Sequence, residues 1–446
     1  MDQGTLSELK NLISGEVILP DDDAYEGSRG SFIRVGNPAL VVHCKNQADV
    51  AAAIRFAREH GLTLSVRSGG HSMSGLSTND GGLVIDLSYF NTVEVLDASR
   101  NLVRIGAGAR WGDAAKALAE HGLAISSGDT NSVGVGGLTL GGGIGWMVRK
   151  YGLSIDSLEA AELVLADGRT LHVSESTHPE LFWALRGGGG NFGVVTSFDF
   201  RAQSVGDIFG GMVIYGIPEM EQVLPRWAAY MRTAPEELSS TLVIFPGFGT
   251  QPPPMLMVLL CYAGDDDALA EQVIQPLREL GTPLNQAIEK KPYYKMLEDA
   301  NPPPGLKSAA QNGFAKAIDE AMIGALVANF GQPGTPIVQI RSLGGAMARV
   351  SSESTAFAHR DYEAFVLSAA LVPVSTSPEE TERIRRESWV PLQPFVAGAY
   401  INFLTDVGEA SMAASYPAAT YARLAAIKAE FDPENIFNQN ANIKPA

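Results

Sequence analysis

Val133-Gly134-Val135-Gly136-Gly137-Leu138-Thr139-Leu140-Gly141-Gly142-Gly143-Ile144-Gly145 is more than half glycine, yet apolar side chains sit between the glycines. A flexible linker would be Gly/Ser-rich and lack such apolar spacing. Two more clusters lie close by in sequence, Ser68-Gly69-Gly70-His71-Ser72 and Gly187-Gly188-Gly189-Gly190-Asn191-Phe192-Gly193. Each is bracketed by strand-like or helix-like residues, so all three read as tight loops inside a fold. Main chain without Cβ obstruction exposes N–H groups, and such loops cradle bulky anionic groups such as phosphates. Gly188-x-Gly190-x-x-Gly193 fits the dinucleotide string, but helix-like Pro179–Arg186 precedes it and strand-like Val194–Phe200 follows. That order is the reverse of a Rossmann strand–glycine–helix unit. No G-x-x-x-x-G-K-[ST] loop, His-Glu-x-x-His helix or carboxylate cluster at metal spacing occurs, so no metal is expected.

The 446-residue chain carries 33 Lys+Arg against 50 Asp+Glu, a formal charge of −17, with 45% hydrophobic residues. Such a length exceeds one compact core and predicts two domains. An acidic chain with no basic cluster argues against nucleic acid or an anionic membrane as partner. The longest uncharged apolar run, around Pro254–Gly264, is too short to cross a bilayer. Met1–Lys10 has no apolar h-region, so no signal peptide is expected. Cys44 and Cys261 cannot build a disulfide framework, which predicts a cytoplasmic location.

Periodicity predicts a helix over Gln47–Gly61, a strand over Leu62–Arg67 running into Gly69-Gly70-His71, and short strands at Leu83–Leu87, Thr92–Leu96 and Leu102–Ile105. A helix at Trp111–His121 and strands at Leu158–Leu165 and Thr170–Val173 follow. Beyond about residue 205, strand-like runs at Met212–Tyr215, Ser240–Phe245, Met255–Tyr262, Ile337–Leu343, Phe365–Val372 and Tyr400–Leu404 alternate with helices at Met220–Arg232, Asp267–Leu280, Phe314–Ala328 and Glu379–Pro391. The class is α+β, with a second region built as an antiparallel sheet backed by helices on one face. The amphipathic helix Ala418–Phe431 and the apolar, asparagine-bearing tail Asn440–Ile443 predict a C-terminus that docks back onto the first region.

Three stretches together carry a resemblance: Arg67-Ser68-Gly69-Gly70-His71-Ser72, the Val133–Gly143 cluster, and Phe431-Asp432-Pro433-Glu434-Asn435-Ile436-Phe437 with Asn442-Ile443. In order and spacing, from about Pro38 to Pro445, they resemble the berberine-bridge-enzyme-like branch of the vanillyl-alcohol-oxidase flavoprotein superfamily. The resemblance implies an FAD-binding domain from residues 1–205 and 411–446, with a substrate domain, 206–410, inserted between. It implies FAD bonded through its 8α-methyl carbon to His71, with the pyrophosphate on the Arg67, Ser68, Gly69, Gly70, His71 and Ser72 loop. It also places Gly128, Asp129, Thr130, Val133, Gly134, Gly136, Gly137, Gly141, Gly142, Gly145, Val195, Asn440 and Asn442 around the cofactor.

Three departures from the family pattern bear on chemistry. Thr130 stands where bicovalent relatives carry a cysteine bonded to flavin C6, so single attachment and a milder oxidant are expected. Leu138 replaces a histidine near the flavin N1–C2 edge, and Phe403 replaces the second tyrosine of Tyr-x-Asn-Tyr. Val133 resembles the small gate residue of oxidases, which makes molecular oxygen the expected acceptor and hydrogen peroxide the product. On Ile337–Leu343 one face carries Gln339, Arg341 and Leu343, where an amine-oxidising relative has a lysine and two glutamates. That difference favours a small-molecule substrate with a C–OH group, of carbohydrate or natural-product type, with a carbonyl or acid facing Arg341. Oxidation of an alkaloid-like C–N bond is the alternative, and a flavin-binding protein without turnover the remote one. Tyr400 and then Tyr293 are the expected catalytic bases, through a pKa lowered by a nearby cation, with His359 and Tyr362 behind them.

Overall fold

Residues 3–247, 252–299, 303–332 and 334–446 are described by the computed structural model; the first two residues of the Met1–Lys10 segment lie outside them. Leu64–Arg67 is a short, buried strand that hydrogen-bonds in parallel to Leu83–Asp86, which in turn pairs in parallel with Leu40–His43. The helix Gln47–Glu59 makes the crossover, capped by the Asn46 side chain on the Asp49 N–H. Glu16–Ile18 adds an antiparallel edge. Strand order in this small sheet is therefore Glu16–Ile18, Leu40–His43, Leu83–Asp86, Leu64–Arg67. One parallel crossover thus sits inside a region expected to hold mostly local strands. It sends Arg67 straight into the first glycine cluster at the C-terminal end of a parallel strand, where ligands of open sheets bind.

A second, antiparallel sheet runs Val93–Asp97, Leu102–Gly106, Val194–Arg201, Leu158–Val164, Thr170–Ser174. Its core is continuous with that of the first sheet and takes in Leu424, Ile427, Phe437 and Ile443 from the far end of the chain. The tail does return to the first region.

The middle of the chain forms an eight-stranded antiparallel sheet. On one face Val213, Leu242, Val258, Ile340 and Val366 pack under the helices Met220–Thr233, Asp267–Arg278, Glu320–Asn329 and Pro378–Trp389. The opposite face looks toward the glycine clusters. The period of two along each strand makes this division: Val338 and Ile340 go to the helices, Gln339 and Arg341 to the other side.

Two expectations fail here. Phe314–Ala328 does not form one helix: Leu306–Ala315 is a ten-residue strand, and the helix begins only at Glu320, where the Asp319 side chain accepts from the Met322 N–H. Tertiary pairing with Ala364–Pro373 overrides the helical spacing. Tyr400–Leu404 is not a strand but a 3₁₀ turn at Ile401–Phe403. Asn312 diverts it by accepting the Tyr400 N–H at 2.7 Å. The strand Pro283–Lys291 was not foreseen, because an exposed edge strand carries no apolar alternation to read.

Candidate active site

The first two glycine clusters are pressed against each other. A Cβ on Gly69 would stand 2.7 Å from Gly134 Cα and closer still to its nitrogen; one on Gly134 would stand 2.8 Å from Gly69 Cα. Ser68 fastens the contact, its Oγ donating to the Ala107 carbonyl at 2.6 Å and accepting the Gly136 N–H at 3.3 Å. Gly70 has φ +74°, which turns the chain tightly before His71. Among the described residues, the N–H groups of Gly69, Gly70, His71 and Met73 meet no protein acceptor. A run of unsatisfied donors beside glycines is a ready anion cradle. Arg67 serves as scaffold: its guanidinium is held by buried Asp86, Nε to Oδ2 2.6 Å, and by the Gly30 carbonyl. Ser72 accepts the Leu76 N–H and shares a hydrogen bond with Ser74.

His71 stacks on Phe32, ring centroids 4.7 Å apart. Burial pushes the imidazole below its ordinary pKa; Asp299 pulls the other way and Arg110 adds to the fall. The ring is neutral at pH 7, with a nitrogen lone pair available. Asp299 ties the adjoining segment down, accepting from the Ser132 N–H at 2.9 Å and from the Asn131 amide.

Part of the second cluster, Val135–Gly141, is a short helix rather than a loop. The space over Gly141 is filled by Asn402, and the space over Gly142 by Phe357. A Cβ on Gly145 would run into the Ser127 carbonyl, so that turn is closed by backbone. Over Gly137, by contrast, a Cβ would meet nothing within 4 Å among the described residues beyond its own helix. The third cluster receives the tail. Asn191 donates to Gly188 and Ala441 carbonyls and accepts the Ile443 N–H; Asn440 donates to the Gly190 carbonyl. The Oδ1 atoms of Asn440 and Asn442 are buried and meet no partner among the described residues. Buried acceptors of that kind are costly unless a ligand donates to them.

The open donor run suits an anion and the orphan acceptors suit an amide N–H, a combination of donors and acceptors that fits FAD. A family model for an FAD-binding domain matches residues 38–174, and one described as berberine and berberine-like matches 399–444. The chain is 31% identical over 97% of its length to (R)-6-hydroxynicotine oxidase of Paenarthrobacter nicotinovorans, covering 97% of that protein. It superimposes on 6-hydroxy-D-nicotine oxidase from Arthrobacter nicotinovorans with a TM-score of 0.86 at 30% identity, covering 97% and 98% of the two chains. Glucooligosaccharide oxidase from Acremonium strictum gives a TM-score of 0.83 at 26% identity, covering 99% of both.

The chain belongs to the berberine-bridge-enzyme-like FAD-linked oxidases of the vanillyl-alcohol-oxidase family. It is an FAD-linked oxidoreductase. Among the described residues no helix is long and apolar enough to cross a membrane.

The helix-free sheet face meets the Asp129–Gly145 segment through Arg341. Arg341 is not free to bind an acidic substrate: it is ion-paired with Asp129, lies 5.8 Å from the Trp146 ring and donates to the Ile144 carbonyl at 3.2 Å. Burial pushes Asp129 up, but Arg341's charge and hydrogen bond, with Thr130, more than offset it and hold the carboxyl below its ordinary range. Asp129 thus faces the arginine across the two regions. Thr130 Oγ1 donates to Asp129 at 2.9 Å, and half-buried Val133 gives its carbonyl to the Trp111 N–H. Gly128 is buried against Leu138, and Val195 is buried in its strand opposite Leu163.

Tyr400 Oη accepts from the Asn402 amide at 2.7 Å, the Gly143 N–H at 2.9 Å and the Ile144 N–H at 3.4 Å. The expected lowered pKa is nevertheless absent: burial raises it against those donors, and Arg341 contributes least. Tyr293 is buried, shares a 3.3 Å hydrogen bond with Ser127, and is likewise raised by burial. Neither phenol is ionised at neutral pH. His359 bonds to the Ser415 carbonyl at 2.9 Å and stacks on Phe314, and Tyr362 packs against the same Phe314 ring at 5.4 Å. Phe32, Asp299 and Asn402 escaped the sequence reading because each acts through a contact distant in sequence. Only Asn402, inside Tyr-x-Asn-Phe, left a local signal.

Proposed function

We propose that this chain is an oxidase that removes a hydride from a C–OH carbon of a carbohydrate or natural-product substrate, with FAD carried on His71 alone. The Gly69–Met73 donor run beside a neutral, Phe32-stacked His71 carries this reading. Bound FAD supplies the two-electron acceptor for the hydride, and molecular oxygen takes the electrons to give hydrogen peroxide. An 8α-N1-histidyl, 6-S-cysteinyl FAD is named for glucooligosaccharide oxidase. Here the half-buried Thr130 has no sulfur to offer, and both cysteines, Cys44 and Cys261, are buried with raised pKa values. His71 would make the covalent link, its neutral imidazole offering the nitrogen lone pair that a bond to the 8α carbon requires. Residues 1–205 with 411–446 hold the cofactor, and 206–410 supply the substrate face.

The acid-precipitated protein is expected to give a yellow pellet with the intact mass of chain plus one FAD, and His71→Ala should release the flavin to the supernatant. Flavin from the unaltered protein found in the supernatant would overturn covalent attachment.

Tyr400 enters as a hydrogen-bond donor. Its oxygen is already engaged by main-chain and Asn402 donors, and its own hydrogen meets no acceptor among the described residues. It therefore holds the substrate's oxygen rather than taking its proton. Tyr400→Phe should slow flavin reduction about 10- to 100-fold, the weight of one buried hydrogen bond. An unchanged stopped-flow reduction rate removes Tyr400 from the reaction.

The substrate's polarity separates this reading from C–N oxidation. The amine reading would show as a ketone or aldehyde accompanied by released amine among the products.

A further inference from the structure

Tyr293–Asp299 belongs to the middle region in sequence but packs with the first. Tyr293, Met296 and Leu297 are buried in the core that the two smaller sheets share. Trp146 Nε1 donates to the Met296 carbonyl at 3.1 Å, and the Glu298 N–H to the Asp129 carbonyl at 3.2 Å. The segment ends on Asp299, whose carboxylate takes three hydrogen bonds from one turn. They come from the Ser132 N–H at 2.9 Å, the Ser132 hydroxyl, and the Asn131 amide at 3.3 Å. The Ser132 hydroxyl first, then the Ser132 N–H and Asn131, hold the carboxyl below its ordinary pKa, so it is ionised at pH 7.

This turn packs against the loop that carries His71. The Ser132 carbonyl would stand 3.0 Å from a Cβ on Gly69, and Asn131 fills the space over Gly112. Asp299 and His71 act on each other across that contact. Arg110, exposed and without an ion pair among the described residues, acts on the same imidazole with the opposite sign and more weakly. No lysine or arginine pairs with Asp299 among the described residues. A neutral amide oxygen could accept the same Ser132 hydrogen bonds. The charge is therefore more than the turn needs, and what it adds is a fixed negative field at His71.

We infer that Asp299 is a positioning residue that fixes one negative charge beside His71, and that this charge makes the FAD carried there a weaker oxidant. The inference rests on the reading that His71 carries FAD. A hydride taken from the substrate brings two electrons and one proton to the flavin, which thereby gains one negative charge. A fixed anion nearby opposes that gain, and the reduction potential falls. Asp299 stands on the middle region, so the part of the chain that supplies the substrate face also sets the driving force for hydride removal.

The test measures the flavin midpoint potential of the FAD-loaded protein by equilibration with a reference dye, in the parent, Asp299→Asn and Ser132→Ala. Asp299→Asn should favour the reduced flavin about threefold, equivalent to about 14 mV upward for a two-electron couple. In about 1 M salt the difference from the parent should close, because a charge at the surface is then screened within a few ångströms. Ser132→Ala removes one hydrogen bond but keeps the carboxylate, so it should lower the melting temperature and leave the potential unchanged. An unchanged potential in Asp299→Asn, an equal rise in Ser132→Ala, or a rise that survives high salt overturns the inference. Arg110→Gln leaves the turn intact and should lower the potential. It decides the matter if Asp299→Asn retains no flavin, an unmoved potential then overturning the inference. Flavin released from the acid-precipitated parent fails the His71 reading itself, before any potential is compared.

Discussion

Gly69→Ala should yield protein that carries little or no FAD and is destabilised by about 3 kcal/mol, the upper part of the range for overpacked sites. The new methyl group would stand 2.7 Å from Gly134 Cα, and its obstacle is main chain, which cannot rotate aside as a side chain could. Relief requires the loop after Leu64–Arg67 to part from the loop that opens Val135–Gly141. Both halves of the donor cradle are set by that contact, since Ser68 also bridges Ala107 and Gly136. Gly137→Ala supplies the contrast. A Cβ there meets no protein atom, so the apoprotein should melt unchanged while the fraction carrying FAD falls. Flavin absorbance per chain and thermal melts of both variants check the pair. Full FAD occupancy in Gly69→Ala would show that the two clusters are packed for the fold alone.

That contrast marks how far the sequence could be read. The glycines stood out as places where backbone meets something closely, and the reversed context of Gly188–Gly193 excluded the Rossmann alternative. Strand and helix periods located the antiparallel sheet and its helices, because each strand there divides its residues between an apolar layer and the opposite face. What the residues alone did not reveal is whom each glycine meets. Gly69 meets Gly134, Gly141 meets Asn402 and Gly145 meets Ser127, three different purposes behind one residue type. Charge pairing was equally hidden. Arg341 and Asp129 stand far apart in the chain, so a side chain expected to recognise a substrate acid is found already neutralised. Tyr400 shows the same limit for acidity: its motif is local, whereas its pKa depends on burial. Phe314 and Ala315 fit the start of a helix in sequence, and only the pairing of Leu306–Ala315 with Ala364–Pro373 makes them strand.

Lys428→Met is the other substitution with a large expected effect, and it acts from the far end of the chain. Lys428 is fully buried on the helix Ala418–Phe431, and its ammonium donates to Asp432 at 2.7 Å and to the Asn191 and Phe437 carbonyls at 2.6 and 2.9 Å. Burial lowers the lysine's pKa and Asp432 opposes the fall. Asp432 also accepts the Ile436 and Phe437 N–H groups, so one ion pair shapes the turn from which the tail departs. Through Asn191 the same ammonium locks the third glycine cluster against Ile443. Methionine fills the volume but leaves a buried carboxylate unpaired, an error that costs about 3–5 kcal/mol. Urea unfolding of the FAD-loaded protein should record that loss. FAD occupancy should fall with it, since Asn440 and Asn442 are carried on the released tail. Adding Asp432→Asn removes the stranded charge and should restore part of the stability, which assigns the loss to the charge rather than to packing. A Lys428→Met protein as stable as the parent would mean that the tail is held by Phe437 and Ile443 burial alone.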